Sequence, residues 1–326
     1  MKRRAFITLV GGAAAWPLAT SAQQPAIPVI GYLNAGIASE YSDSLRSFRQ
    51  ALNESGYIEG ENVAIDYRWG ENAPDRLPVL ANALVRRRVN LITAASAPAS
   101  LIAAKATATI PIVFLVPEDP VRLGLVTSLA RPGGNATGVN FFAAELATKR
   151  LELLRTLVPG TTRVAVLLNP AEPTIAAANL RDVEAAAGVM GLQIRVLNAS
   201  TIAEVDAAFA ALASERPDAL FISSGPFFAN RSVHLAHLAT RYAIPAIGGG
   251  RRYSEVGGLM SYAASLTEAH RQAGAYAARV LKGAQPADLP VVQSSKFELV
   301  INQTTARILG LTVPESLLAA ADDVIE

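Results

Sequence analysis

Two serine-containing turns follow apolar segments of the chain, and their residue types suit the binding of an anion or a carboxylate. The first contains Ser96, Pro98 and Ala99, and the second is the segment Ser223-Ser224-Gly225-Pro226-Phe227. Serine hydroxyls and the free N–H groups at a helix start both donate hydrogen bonds to negatively charged groups. Capping of the following helix by serine would produce the same pattern. Because the turn occurs in both halves of the chain, we favour ligand contact.

Carboxylates and aromatic rings also follow apolar segments. Glu118 and Asp119 lie between two prolines and could receive a ligand ammonium or hydroxyl, although solvation, or capping of a helix over 121–130, explains them equally well. Phe141 and Phe227 could stack on a ligand, with core packing as the alternative, which is favoured for Phe141. The candidate ligand-binding residues chosen from the sequence itself are Asn34, Ser96, Pro98, Ala99, Asp119, Asn140, Phe141, Asn169, Ser223, Ser224, Gly225, Phe227 and Gly249.

The absence of cysteine and the placement of the three histidines limit which catalytic and metal sites the chain can form. With no Cys in 326 residues, disulfides, thiolate zinc sites and cysteine nucleophiles are excluded. His234 and His237 lie one helical turn apart, but no nearby acidic pattern supports a metal, and we expect neither a metal nor a cofactor. Nucleotide-binding loops and the serine-hydrolase elbow motif do not occur in the sequence.

The small net positive charge of the chain comes from its first four residues. Of the 29 Lys and Arg residues, three occupy positions 2–4, so the rest of the chain carries 26 basic against 27 acidic residues. A nearly neutral body has no electrostatic footprint for nucleic acid or for an acidic membrane surface. We therefore expect no nucleic-acid partner.

The first 22 residues have the order of a signal peptide. A basic start is followed by a mostly apolar segment over 5–19 and by small residues that end at Ala22. The apolar segment is short for a membrane span, so export with cleavage near Ala22 is favoured over a retained anchor. The pair Arg3-Arg4 resembles a twin-arginine signal, and the choice between the two export routes stays open. We expect the mature protein in the periplasm.

Short aliphatic segments alternate with longer Ala- and Leu-rich segments of helical spacing. This alternation predicts an α/β protein with mainly parallel sheets. The pattern occurs twice, because Val29–Asn34 matches Val164–Asn169 and segment 90–98 matches 218–226 in the same order. Any two α/β halves resemble each other in part, but the shared order favours a true repeat. It predicts two similar doubly wound parallel-sheet lobes with a hinge and a ligand cleft beyond the carboxyl ends of the strands.

Several segments together resemble one protein family. They are RPGGNATG at 131–138, VLLNP at 166–170, GGLMSY at 257–262, GAQPADLP at 283–290 and LGLTVP at 309–314. In this order, and with the signal peptide and the repeat, they are similar to the ABC transporter substrate-binding proteins of the tryptophan/tyrosine-binding-like family, which have a type I periplasmic-binding fold. The resemblance implies three crossings between lobes. The lobe bounds expected from it are 28–139 plus 263–294 for lobe 1 and 140–262 plus 295–326 for lobe 2.

The resemblance adds Tyr262 and Ser265, near the second crossing, to the ligand-binding candidates. Members of the family often carry an Asp shortly after this tyrosine, suited to an amino-acid ammonium, whereas this chain has Ser265. Most of the other candidates are neutral hydrogen-bonding groups flanked by Phe141 and Phe227. The expected ligand is therefore a small, partly apolar solute that bears a carboxylate or hydroxyls.

The function implied by the resemblance is that of a periplasmic receptor that closes its lobes on a small molecule and delivers it to an ABC permease. Such a receptor acts as a monomer and needs no catalysis, but its ligand must favour the closed form. Two alternatives stay open. One is a secreted hydrolase with Ser96 or Ser224 as nucleophile and His234 or His270 as base. The other is a ligand-sensing partner of a membrane receptor.

Overall fold

The computed structural model describes residues 27–141 and 146–326, with only the backbone of Thr174. The expected signal peptide over 1–22 lies outside the described residues. The strands are β1 Val29–Asn34, β2 Ala64–Trp69, β3 Leu91–Ala94, β4 Ile112–Val116, β5 Ala136–Asn140, β6 Arg163–Leu168, β7 Gln193–Asn198, β8 Ala219–Ile222, β9 Ala246–Gly248, β10 Met260–Ala264, β11 Val292–Gln293, β12 Phe297–Asn302 and β13 Asp323–Ile325.

Helices cover both sheets and follow most of the strands in sequence. They are α1 Ser42–Glu54, α2 Leu77–Arg86, α3 Ala97–Ala106, α4 Leu146–Leu157, α5 Pro173–Met190, α6 Ile202–Glu215, α7 Pro226–Ala229, α8 Ser232–Arg241, α9 Arg251–Glu255, α10 Leu266–Leu281, α11 Gln303–Ile308 and α12 Glu315–Ala320. The helix considered over 121–130 does not form, because Pro120–Gly124 makes a turn that is not continued.

Two sheets divide the chain into two lobes. The first has the order β11-β5-β4-β3-β1-β2 and the second β13-β12-β10-β9-β8-β6-β7. Within the described residues every strand pair is parallel except β10 with β12. The orders β2-β1-β3-β4-β5 and β7-β6-β8-β9-β10 are the same arrangement, so the repeat read from the sequence corresponds to two similarly built sheets.

Each sheet is buried on both faces, which explains the aliphatic character of its strands. In lobe 1, Tyr32 packs with Phe48 of α1 on one face, while Leu33, the next residue along β1, packs with Leu84 of α2 on the other. Helix α10 packs along α1 and thus joins lobe 1, although it follows a strand of the second sheet. In lobe 2, α4 and α5 cover one face and α6 and α8 the other.

Three crossings connect the lobes, between β5 and α4, between β10 and α10, and between β11 and β12. They are hydrogen-bonded to one another, since Ser294 N–H donates to Asn140 O at 2.9 Å and Ser265 N–H donates to Lys296 O at 2.9 Å. Asn140 pairs in the first sheet, and β10 continues in the second sheet as far as Ala264. The first two crossings therefore lie one or two residues later than the expected bounds.

Candidate functional site

The carboxyl ends of strands in both sheets lead into the crossings between the lobes. Strand β5 leaves the first sheet at its carboxyl end to enter lobe 2, and β10 leaves the second sheet at its carboxyl end to enter lobe 1. In open parallel sheets, ligands bind beyond these ends. Residues that follow the strands in each lobe are therefore the natural walls of a cleft between the lobes.

Three buried asparagines at these strand ends hold loops in place. The Asn34 side chain donates to Ala95 O at 3.1 Å and accepts from Gly36 N–H at 2.7 Å, and Asn169 accepts from Ala171 N–H at 3.0 Å. The Asn140 amide donates to Val116 O at 3.0 Å and to Glu118 O at 2.8 Å. These residues are at most 4% exposed, and the hydrogen bonds above hold the loops at the strand ends; direct contact of their amides with a ligand stays a prediction.

Ser96 and Ser224 are half-buried, and protein donors already occupy their oxygen atoms. Ser96 Oγ accepts from Ala99 N–H at 3.3 Å, which makes Ser96 the N-cap of α3, and from Ala35 N–H at 3.4 Å. Ser224 Oγ accepts from the Arg150 guanidinium at 3.3 Å. Each hydroxyl can still donate its own hydrogen. The capping interpretation of Ser96 and a donor role toward a ligand are thus compatible.

The remaining positions of the serine turns offer less than the sequence predicts. Ala99 and Ser223 are buried, and Pro98 stands in the first turn of α3. In the second turn two N–H groups are already bonded, because Ser224 N–H donates to Asn179 Oδ1 at 3.3 Å and Phe227 N–H donates to Glu172 Oε1 at 3.2 Å. These two groups are not available to an anion, and binding of an anion at this turn stays a prediction.

Two glycines and a phenylalanine shape the second turn. A Cβ on Gly249 would lie 2.8 Å from Ser224 Oγ, and a Cβ on Gly225 would lie 2.5 Å from Glu172 Oε2, so neither position has room for a side chain. The Phe227 ring lies 3.9 Å from the Arg231 guanidinium carbon and is half-buried. Gly225 and Gly249 therefore act through the space they leave.

Glu118 and Asp119 differ sharply although they are neighbours. Asp119 Oδ1 accepts from Val121 N–H at 2.8 Å and from Arg122 N–H at 3.4 Å, which stabilises the turn after β4. Glu118 Oε2 is buried and has no hydrogen-bond partner among the described residues. Burial raises the pKa of the Glu118 carboxyl. A buried carboxylate oxygen without a donor is costly, so Glu118 is the better candidate to receive a ligand donor.

The two candidates added by the family resemblance lie away from the serine turns. Tyr262 faces a surface groove of about 610 Å³ in lobe 2, together with Glu152, Phe297 and Asp322, and its ring is 5.9 Å from that of Phe297. Ser265 is fully buried, caps α10 by accepting from Glu268 N–H, and hydrogen-bonds the Glu298 carboxylate. Strand β10 turns Tyr262 toward α4 and α12, and the second crossing encloses Ser265; contact of either residue with a ligand stays a prediction.

An aromatic cluster in lobe 1 was missed by sequence reasoning. Trp69 ends β2, Tyr41 precedes α1, and both are half-buried with ring centroids 5.6 Å apart. Tyr32 lies beneath them, 5.6 Å from Trp69. Phe141 is half-buried and packs against the same core. The sequence signal for Trp69 was its position at a strand end directly before Gly70, which is the pattern that identified the other candidates.

The histidines do not form a catalytic pair with either serine. His270 is buried and bonded through Nε2 to Tyr32 Oη at 3.0 Å and through Nδ1 to Leu266 O at 2.7 Å. His234 pairs with Asp206 at 2.7 Å on the surface of α8. No hydrogen bond in the described part of the chain joins a histidine to Ser96 or Ser224. The geometry therefore gives the hydrolase hypothesis no base.

His270 is expected to make stability depend on pH. Burial lowers its pKa to about 4 from 6.5, so between these values the unfolded chain binds a proton that the folded chain does not. The contribution of neutral His270 to the free energy of unfolding is fully present above about pH 6.5 and decreases as the pH falls toward 4. From pH 7 to 5 this group should cost about 2 kcal/mol of unfolding free energy. Urea unfolding at both pH values measures the loss.

The matched control for this effect is His270→Gln, which cannot titrate. Its unfolding free energy should decrease by about 2 kcal/mol less than that of the unmodified chain between pH 7 and pH 5. Identical losses in both proteins would mean that another group carries the dependence.

Two general findings bear on the type of site. Within residues 27–141 and 146–326, no three His, Asp or Glu side chains are placed to hold a metal ion. In the same part of the chain, no helix has the length and apolar character needed to cross a membrane.

Comparison with known proteins decides the family. A family model described as ABC transporter substrate binding protein matches residues 41–325. The chain belongs to this family. As a substrate-binding protein it is a receptor for a small solute, and the resemblance inferred from its sequence motifs is confirmed.

Similar proteins support the same assignment. This substrate-binding protein is 29% identical over 268 residues to a tyrosine-binding protein of Clostridioides difficile (strain R20291), covering 82% of this chain and 76% of the relative. It is 27% identical, with a TM-score of 0.80, to the crystal structure of an ABC domain in complex with L-Trp from Streptococcus pneumonia, covering 91% of this chain and 99% of the other.

A third match concerns the fold alone. The ligand-free, open structure of a substrate-binding protein with adhesive properties from Clostridium difficile has a TM-score of 0.74 at 24% identity, covering 92% of this chain and 99% of that one. Together with the two sheets of this substrate-binding protein, these likenesses confirm the predicted fold class, two parallel-sheet α/β lobes of the type I periplasmic-binding fold.

Proposed function

We propose that this substrate-binding protein is an exported receptor for an amino acid with an apolar or aromatic side chain. It closes its two lobes on this ligand and presents it to an ABC permease. The observation that carries the proposal is that β5 and β10 both leave their sheets at the carboxyl end and enter hydrogen-bonded crossings between the lobes. The similarity to a tyrosine-binding protein and to a domain in complex with L-Trp supports an amino acid as the ligand.

The groups at the cleft suit a zwitterion. Glu118 supplies a buried oxygen that has no donor among the described residues, and an ammonium group would provide one. Ser96 and Ser224 supply hydroxyl hydrogens for the polar groups of the ligand, its carboxylate among them. Tyr41 and Trp69 supply half-buried rings at the lobe 1 edge on which an aromatic side chain could stack, an arrangement that favours apolar and aromatic ligands.

The setting of the receptor follows from the family and from the start of the chain. Residues 1–22 have the order of a signal peptide, which supports export to the periplasm with cleavage near Ala22. Family membership supports an ABC permease as the partner. Binding and closure require no covalent step, and the lack of a base near Ser96 and Ser224 among the described residues favours a non-catalytic receptor. We keep the expectation that the receptor acts as a monomer.

Binding and closure are tested together. L-tryptophan or L-tyrosine at about 100 times its Kd should stabilise the folded chain by about 2.7 kcal/mol, seen as a higher Tm, with glucose as the control. Small-angle scattering at saturation should show a smaller radius of gyration. Stabilisation without compaction would contradict closure, and no stabilisation by any amino acid would contradict the ligand class.

A further inference from the structure

Arg150 is a cation buried beneath the strand ends of lobe 2. Its side chain belongs to α4, yet only 1% of the residue is exposed. The guanidinium donates to Ile222 O at the end of β8 and, at 3.2 Å, to Ile247 O in β9. The guanidinium carbon also lies 4.1 Å from the centroid of the Phe221 ring. The charge is thus held directly under the carboxyl edge of the second sheet.

This charge has no anionic partner among the described residues. Arg150 forms no salt bridge with an aspartate or glutamate in that part of the chain, and its Nε has no hydrogen-bond partner. Burial lowers the pKa of its guanidinium to about 9, so the group remains protonated at neutral pH. Burying a charge without a counter-ion is expensive. The position of Arg150 therefore calls for an anionic partner that the described residues do not supply.

Its single contact with the cleft is through Ser224. The Arg150 Nη1 group donates to Ser224 Oγ at 3.3 Å, so the serine oxygen is an acceptor toward the cation and its hydrogen points elsewhere. A hydroxyl that accepts from a cation becomes a stronger donor on its other side. We propose that Arg150 is a specificity-determining positioning residue, which makes the Ser224 hydroxyl a donor selective for the ligand's carboxylate. The inference rests on the proposed amino-acid ligand.

Ser96 of lobe 1 differs from Ser224 of lobe 2 in the groups that donate to its oxygen. Ser96 has the corresponding place at a strand end, but its oxygen accepts only from neutral backbone N–H groups. In lobe 2 the carboxylate of Glu172 is also at the turn, where it accepts from Phe227 N–H, but it makes no hydrogen bond to Ser224. The ligand carboxylate therefore binds at lobe 2, and the ligand ammonium is left to Glu118 of lobe 1.

The test compares two ligands that differ in one charge. The ligands are L-tryptophan and L-tryptophanamide, in which a neutral carboxamide replaces the carboxylate. Calorimetry with each gives the ratio of their dissociation constants. In the unmodified chain the acid should bind more tightly. Arg150→Gln, which keeps hydrogen-bonding capacity but removes the charge, should reduce this preference by about tenfold. Arg150→Lys, which keeps the charge, should retain most of it.

Serine variants keep the test decisive if Arg150→Gln does not fold. Ser224→Ala should reduce the preference for the acid as Arg150→Gln does, whereas Ser96→Ala should weaken both ligands by similar factors. The double variant Arg150→Gln/Ser224→Ala should lose no more preference than either single variant, because the two residues act in series.

The outcomes separate the two proposals. If the acid binds and compacts the protein but Arg150→Gln weakens acid and carboxamide equally, Arg150 is merely structural and this inference is overturned while the receptor function stands. The inference is likewise overturned if Arg150→Lys loses the preference as completely as Arg150→Gln, or if Ser224→Ala leaves the preference unchanged. If neither ligand binds the unmodified chain, the amino-acid ligand and the role of Arg150 both fall.

Discussion

Glu118→Gln should weaken the binding of an amino acid by about 10- to 100-fold, the cost of losing a charge-assisted hydrogen bond in a partly buried site. In the unmodified protein, Glu118 Oε2 is buried without a donor among the described residues, and a ligand ammonium would supply one. The glutamine keeps the size of the side chain but not its charge. Calorimetry with L-tryptophan measures the loss, and the amine-free acid indole-3-propionate should bind both proteins about equally.

The pH dependence of affinity gives a second measurement of the same contact. Burial raises the pKa of Glu118, and protonation removes the charge that attracts an ammonium. Affinity for the amino acid should therefore fall as the pH decreases through this raised pKa. Glu118→Gln should lack that decrease.

Asp119, the next residue along the chain, and Glu172 of lobe 2 serve as matched carboxylate controls. Asp119→Asn should leave affinity nearly unchanged, because Asp119 is already bonded to the turn that follows it. Glu172→Gln should not reduce affinity for the amino acid, since Glu172 already accepts from Phe227 N–H. A large loss in Asp119→Asn with none in Glu118→Gln would restore the sequence-based assignment of Asp119. A comparable loss confined to Glu172→Gln would move the ammonium to lobe 2.

Gly274→Ala should lower the free energy of unfolding by about 3 kcal/mol through overpacking. Gly274 of α10 lies against α1, and a Cβ there would lie 2.3 Å from Phe48 O and 3.0 Å from the Ala51 side chain. The atom in the way is backbone, so the two helices must separate. The loss should appear in urea unfolding and as a Tm lower by several degrees.

The control for this change is Gly188→Ala in α5. Gly188 is exposed, and a Cβ there would meet nothing within 4 Å. Because alanine is the better helix former, this variant should gain up to about 1 kcal/mol. Equal effects of the two substitutions would mean that α1 and α10 have room to separate without cost.

The sequence alone determined the architecture of this protein. Hydrophobic periodicity is local and is set by whether a segment is a strand or a helix, so the repeated segments 29–34 and 164–169 match β1 at Val29–Asn34 and β6 at Arg163–Leu168 within one residue. The repeated order of strand ends predicted two lobes, and the motifs along the chain led to the correct family. The same reasoning brought attention to the strand-end loops, because parallel sheets expose their ligand sites there.

The tertiary structure decided which of the residues at those loops have groups to offer. Asn34, Asn140 and Asp119 have the chemistry of ligand contacts, but each is bonded to a neighbouring loop or turn. Whether a side chain keeps a donor or acceptor available for a ligand depends on the polar groups that surround it in the fold. Sequence spacing reveals such neighbours only in local turns such as that of Asp119.

Arg150 is the extreme case. Its helical spacing places it on the same face as Ala147 and Leu154, unlike Lys149 and Arg155, but the sequence does not show what an arginine on that face would contact. Its burial arises because α4 packs across the ends of β8 and β9, which are about 70 to 100 residues away along the chain. Only this long-range packing, driven by the apolar face of α4, turns an ordinary surface residue type into a buried charge beneath the cleft, with no anionic partner among the described residues.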